Sequence, residues 1–147
     1  MVFGNIPALM PSVFEVRATA IITNVVQFTG AQSCSGFDWL TLFLEYVRGA
    51  AGGAVQYQIQ ASPAVYAGWY PLSALAVGAV AVNVDTASNI QREMITYGAT
   101  AAGAEDFVYG PILLRNTVEN FRVSFVEVGV PGTPGQFGII AVMGVNR

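Results

Sequence analysis

FDWLTLFLEYVRGAAGGAVQYQIQASPAVYAGWYP, residues 37–71, decides the reading of the fold. Two apolar-rich runs, Trp39 to Arg48 and Val55 to Ser62, flank a short connection of small residues, and each alternates at the two-residue period of a β-strand. The pair reads as a hairpin of two long neighbouring strands. On the first run Leu40, Leu42, Leu44 and Tyr46 share one face, and Trp39, Thr41, Phe43, Glu45 and Val47 share the other. Both faces are largely apolar. An antiparallel strand covered on one side carries polar residues on the other, so this strand is expected to be covered twice. No helical period of useful length follows, which makes another subunit the expected second cover and Thr41, Phe43 and Val47 candidate partner-binding residues. The second run sets Val55, Tyr57, Ile59 and Ala61 against Gln56, Gln58 and Gln60. That glutamine face is expected to meet water or to hydrogen-bond to a neighbour.

Upstream, Val13 to Thr29 alternates as one or two strands, and residues 30–36 form a polar loop. Residues 1–12 read as an extended arm: Val2, Phe3, Ile6, Leu9 and Met10 are apolar, while Gly4, Pro7 and Pro11 forbid a regular helix or central strand. Phe3, Ile6 and Leu9 are its candidate partner-binding residues, with docking along its own domain as the other reading. Downstream, the aromatic knot Tyr66, Trp69, Tyr70, Pro71 suits the capped end of a sandwich core or an interface. Leu72 to Val82 reads as a buried strand pair or apolar turn, Asn83 to Ser88 as a turn, Ile90 to Tyr97 as a short strand, and Glu105 to Asn116 as a stretch carrying Phe107, Val108 and Tyr109 and, after Gly110 and Pro111, the apolar run Ile112 to Leu114. Phe121, Val123 and Phe125, alternating with Arg122 and Ser124, and the run Phe137 to Val145 read as a closing hairpin around the proline- and glycine-rich connection VGVPGTPGQ, residues 128–136. Eight to ten strands at this spacing, without a credible long helix, predict an all-β chain: a jelly-roll-like antiparallel β-sandwich with an N-terminal arm at 1–12 and a single domain at 13–147.

Composition limits what such a domain does. The 147 residues are 54% hydrophobic and 10% charged, against roughly 25% charged in an ordinary soluble domain. Too few polar side chains remain to cover a lone globule, so other subunits or partners are expected to cover apolar surface. The six basic residues are all arginine and dispersed, and net charge is −3. A nucleic-acid binder needs a clustered basic patch, so no nucleic acid is expected as a partner. A lone arginine beside an acidic neighbour reads first as a surface ion pair. No secretory signal is visible, and Leu72 to Val82 spans about half the roughly 20 residues of a membrane-spanning helix. The weak alternation along the strands also argues against a transmembrane barrel, so no membrane is expected.

Chemistry-bearing constellations are scarce. There is no histidine, and Cys34 is the single cysteine, expected as a buried free thiol. Zinc therefore lacks ligands, and no aspartate-rich loop has calcium spacing around Asp38, Asp85 or Asp106. Glu105 and Asp106, adjacent on a strand, point to opposite faces rather than forming an acid/base pair. The glycine pairs at 52–53 and 132–135 lack the helix and lysine of a phosphate cradle. Neither a cofactor nor a metal nor an enzymatic activity is expected.

WLTLFLEYVRG before a glycine-rich turn, GWYPLS at 68–73, YGPILLRN at 109–116 and FRVSFVEVGVPGTPGQFGIIAVMG at 121–144 occur in a lysine-free, alanine- and glycine-rich all-β chain. In this it resembles the small structural proteins of tailed bacteriophages, especially capsid decoration (cement) proteins of jelly-roll type. The resemblance is one of style and carries no residue over by motif. It implies a homotrimer on the exterior of the virion capsid, made in the host cytoplasm, bridging copies of the major capsid protein without catalysis. Acidic net charge without a basic tail suits that exterior better than a shell lining DNA. A tail, fibre or baseplate module is the alternative, with Trp39, Trp69 and Tyr70 stacking on a receptor carbohydrate. An enzyme on the same scaffold would have to work through Glu45 or Glu105.

Overall fold

A computed structural model describes residues 11–63, 68–71, 95–98, 103–114, 118–129 and 132–145. Phe3, Ile6 and Leu9 of the expected arm, the run Leu72 to Val82 and the turn Asn83 to Ser88 lie outside the described residues.

Ten strands are present among the described residues, with no helix: β1 (Ser12–Ile21), β2 (Gln27–Phe28), β3 (Gln32–Ser33), β4 (Trp39–Arg48), β5 (Ala54–Ser62), β6 (Tyr70–Pro71), β7 (Ile95–Gly98), β8 (Gly103–Leu113), β9 (Asn120–Val128) and β10 (Gln136–Gly144). All pairings are antiparallel. One sheet has the order β1-β10-β4-β8, and the other β2-β9-β5-β6, with β3 beside β9 and β7 beside β5. Counted with β2/β3 and β6/β7 as interrupted strands, each sheet holds four, and the chain crosses repeatedly between them as a jelly roll does.

The inward face of each long strand supplies the core. Leu40, Leu42, Leu44 and Tyr46 of β4 and Phe137, Ile139, Ala141 and Met143 of β10 meet Val55, Tyr57 and Ile59 of β5 and Phe121, Val123 and Phe125 of β9, all buried. Tyr57 lies among aromatic rings, 5.9 Å from Tyr109 in an edge-on contact, 5.9 Å from Phe107 and 6.1 Å from Phe137. Such pairs add about 0.5–1.5 kcal/mol each beyond the area they bury.

Both hairpins expected from the sequence are replaced by crossings between the sheets. β4 and β5 lie in different sheets, as do β9 and β10. In each pair the two apolar faces look at each other across the core rather than sharing one sheet. Alternation fixes which side chains point inward, but it does not distinguish a strand alongside from a strand opposite. Sheets pack about 10 Å apart, and the five residues of 49–53 reach about 16 Å extended, enough to cross. The two crossings lie together at one end of the sandwich. Gly52 has φ +87 and Gly129 φ +94, and a Cβ on Gly129 would collide with the Gly52 carbonyl. Larger residues would hold the crossings apart.

Candidate functional site

The face of the β1-β10-β4-β8 sheet that points away from the core is the first candidate. Register places Ile140, Phe43 and Val108 directly opposite one another on β10, β4 and β8. They are 44%, 43% and 56% exposed, and Val13 (63%) and Leu113 (56%) extend the apolar surface along the outer strands. Thr41 and Val47, half-buried, lie on the same face of β4. The fold thus brings together the candidates Thr41, Phe43 and Val47. The sequence reading did not single out Ile140, Val108, Val13 and Leu113. The signal was present in FGIIAVMGV, where both alternating sets are apolar.

Two glycines flatten this face. The Thr19 hydroxyl of β1 passes over Gly138 and donates to Glu45 Oε1 on β4 at 2.7 Å, across the intervening strand. The Trp39 indole covers Gly144 in the same way. A groove of about 380 Å³ opens beside Gly138, with Glu15, Thr19, Glu45 and Asp106 on its polar side and Phe43, Val108 and Ile140 on its apolar side. Glu45 and Asp106 face each other directly across β4 and β8. A second hollow, about 430 Å³, lies between Trp39, Thr41, Pro111 and Leu113.

The outward face of the other sheet corrects the expectation of a water-facing glutamine row. Gln58 and Gln60 are 1% and 8% exposed, and Ser124 opposite Gln58 is 3% exposed. Of the two alternatives, hydrogen bonding to neighbours holds for this pair. Gln60 Nε2 donates to Gln58 Oε1 at 2.7 Å, and Arg122 Nε donates to Gln60 Oε1 at 2.7 Å. The Arg122 guanidinium sits 4.2 Å from the Phe28 ring centre and 4.5 Å from that of Trp69. Tyr70, 58% exposed, lies opposite core-facing Ala61 on the edge strand β6 and so does not share the face of Gln58 and Gln60. Trp39 lies on the opposite sheet, so Trp39, Trp69 and Tyr70 do not form one platform.

The acidic candidates do separate work. Glu105 accepts a hydrogen bond from the Tyr97 hydroxyl at 2.9 Å, while Asp106 is exposed on the other face of β8. The buried carboxylate is one the sequence reading passed over. Glu127 is 5% exposed and accepts from the Tyr46 hydroxyl at 2.9 Å and from the Gly135 N–H at 2.9 and 3.1 Å. It ties β4, β9 and the β9–β10 crossing together. Burial and the bond to Glu127 push the Tyr46 hydroxyl well above the usual tyrosine range, and burial does the same to Tyr57. Cys34 is a buried free thiol, held up at about 12 by burial and then by the charge of Glu119. A thiol so protonated is a poor nucleophile. Among the described residues no three metal-ligating side chains cluster, and no helix is long and apolar enough to cross a membrane.

No protein-family model matches the chain, and no curated protein matches it. Among solved structures it is similar to a chain in the structure of infectious bursal disease virus, Gt strain, with a TM-score of 0.48 and 10% identity. The likeness covers 91% of this chain and 32% of that one, so this chain spans about a third of the other's length.

Proposed function

We propose that the protein is a virion structural protein that works by burying surface: a capsid decoration protein, homotrimeric, seated on the exterior of a phage head and bridging copies of the major capsid protein. The observation that carries this reading is the apolar outer face of the β1-β10-β4-β8 sheet, where Phe43, Val108 and Ile140 form one exposed row. Four strands at about 4.8 Å spacing and about 30 Å length present roughly 600 Å², against about 800 Å² per partner in a stable interface. Contact over the whole face therefore supplies most of one partner's share. Catalysis has no part in this reading.

The test is location. Immuno-electron microscopy of particles from infected cells is expected to place label on the head surface, and particles without label would overturn the proposal. Label confined to tail tips or fibres would instead favour a receptor- or carbohydrate-binding module, a reading that the exposed Tyr70 supports.

A further inference from the structure

The hydrogen-bond chain on the β5–β9 face has a fixed polarity. Arginine has donors only, so its Nε must meet the oxygen of Gln60, which turns the Gln60 amide nitrogen toward Gln58. Gln58 then accepts through Oε1, and its own Nε2 is left as a buried donor without an acceptor. Among the described residues this leaves donors without a protein acceptor at both ends: the buried Gln58 amide at one, and the two terminal nitrogens of Arg122 at the other. Among the described residues no carboxylate pairs with Arg122, and Nε is its one hydrogen-bonding atom. The fork is nevertheless immobilised, stacked between Phe28 and Trp69 and held at Nε by Gln60. Burial also disfavours its charge. A cation that is oriented, partly desolvated and without a counter-ion among the described residues is an arrangement that binds an anion rather than one that satisfies itself.

We infer that Arg122, set between Phe28 and Trp69 and braced by Gln60, is a socket for a single carboxylate presented by an acidic side chain of a protein partner. The free edge of the fork is the planar pair of terminal nitrogens, which matches the two oxygens of a carboxylate in parallel hydrogen bonds. No second cation stands beside it among the described residues, which suits a monoanion better than a phosphate. The faces of Trp69 and Phe28 nearest the charge are occupied by the guanidinium, leaving them closed to a stacked sugar ring. This socket lies on the sheet opposite the apolar face and stands independently of the proposed head location.

The experiment is a ¹⁵N-resolved NMR titration of the full chain. The probes are an acetylated, amidated Gly-Glu-Gly tripeptide, its Gly-Gln-Gly counterpart, sodium glucuronate and sodium chloride, all at matched ionic strength. The glutamate peptide is expected to shift the Arg122 Nε–H and Trp69 indole N–H resonances saturably. The glutamine peptide and chloride are expected to leave them in place. R122K, which keeps the charge and loses the fork, should weaken the response at least tenfold. Equal responses to the two peptides, or none to either, would overturn the socket, and the wild-type titration alone decides this if the variant does not fold. Glucuronate binding tenfold tighter than the glutamate peptide would overturn the assignment to a protein side chain.

Discussion

Glu127 shows how one residue joins distant parts of the chain. Its carboxylate receives the Tyr46 hydroxyl and the Gly135 N–H inside the core, beside the two crossings between sheets. Hydrogen bonds to charged groups contribute about 1.5–3 kcal/mol, so Tyr46→Phe is expected to lower the unfolding free energy by about that amount in a denaturant titration. At Gly138 the constraint is steric. A methyl group there meets Thr19 above β10, and Gly138→Ala is expected to cost about 1–3 kcal/mol by the same measurement. Cys34 sets a pH dependence. Its folded pKa is about 12 against an ordinary value of 9.0, so between these values the unfolded chain loses a proton that the folded chain keeps. Stability is fully present below about pH 9 and falls as pH rises above it, and the raised Tyr46 and Tyr57 add to the loss above about pH 10. Denaturation midpoints measured from pH 7 to 11 are expected to show this decline, and alkylation of Cys34 at pH 8 should wait on unfolding.

Among the elements, β4 was the most legible and its partners the least. The alternation of WLTLFLEYVR correctly separates Leu40, Leu42, Leu44 and Tyr46 from Trp39, Thr41, Phe43, Glu45 and Val47. The period of two is local, and it survives any choice of neighbour. Pairing is not local: β4 joins β10 and β8, from the far end of the sequence, rather than β5. The glutamines of β5 misled for a related reason. Gln58 and Gln60 face away from the core, as their alternation states, yet cross-strand Arg122 and their bond to each other make burial tolerable. Arg122 itself reads in sequence as an ordinary surface ion pair, and only the fold shows it stacked between rings. The two faces of β4 yield a contrast. Leu42→Ala in the core is expected to cost about 2–5 kcal/mol of stability, whereas Phe43→Glu on the outer face should cost under about 1 kcal/mol while weakening association.

For the molecule as a whole, a low charge content and one long apolar sheet face point the same way. The sandwich closes its core with the inward halves of its strands, and the outward halves of β10, β4 and β8 still carry Ile140, Phe43 and Val108. Covering such a face is the ordinary work of symmetric association. Light scattering of the purified chain coupled to size exclusion is the most direct test of that claim. The expected result is a mass three times that of the 15.5 kDa chain for the wild type and a shift to monomer for a folded Phe43→Glu. A wild type that remains monomeric at every concentration tested would contradict it.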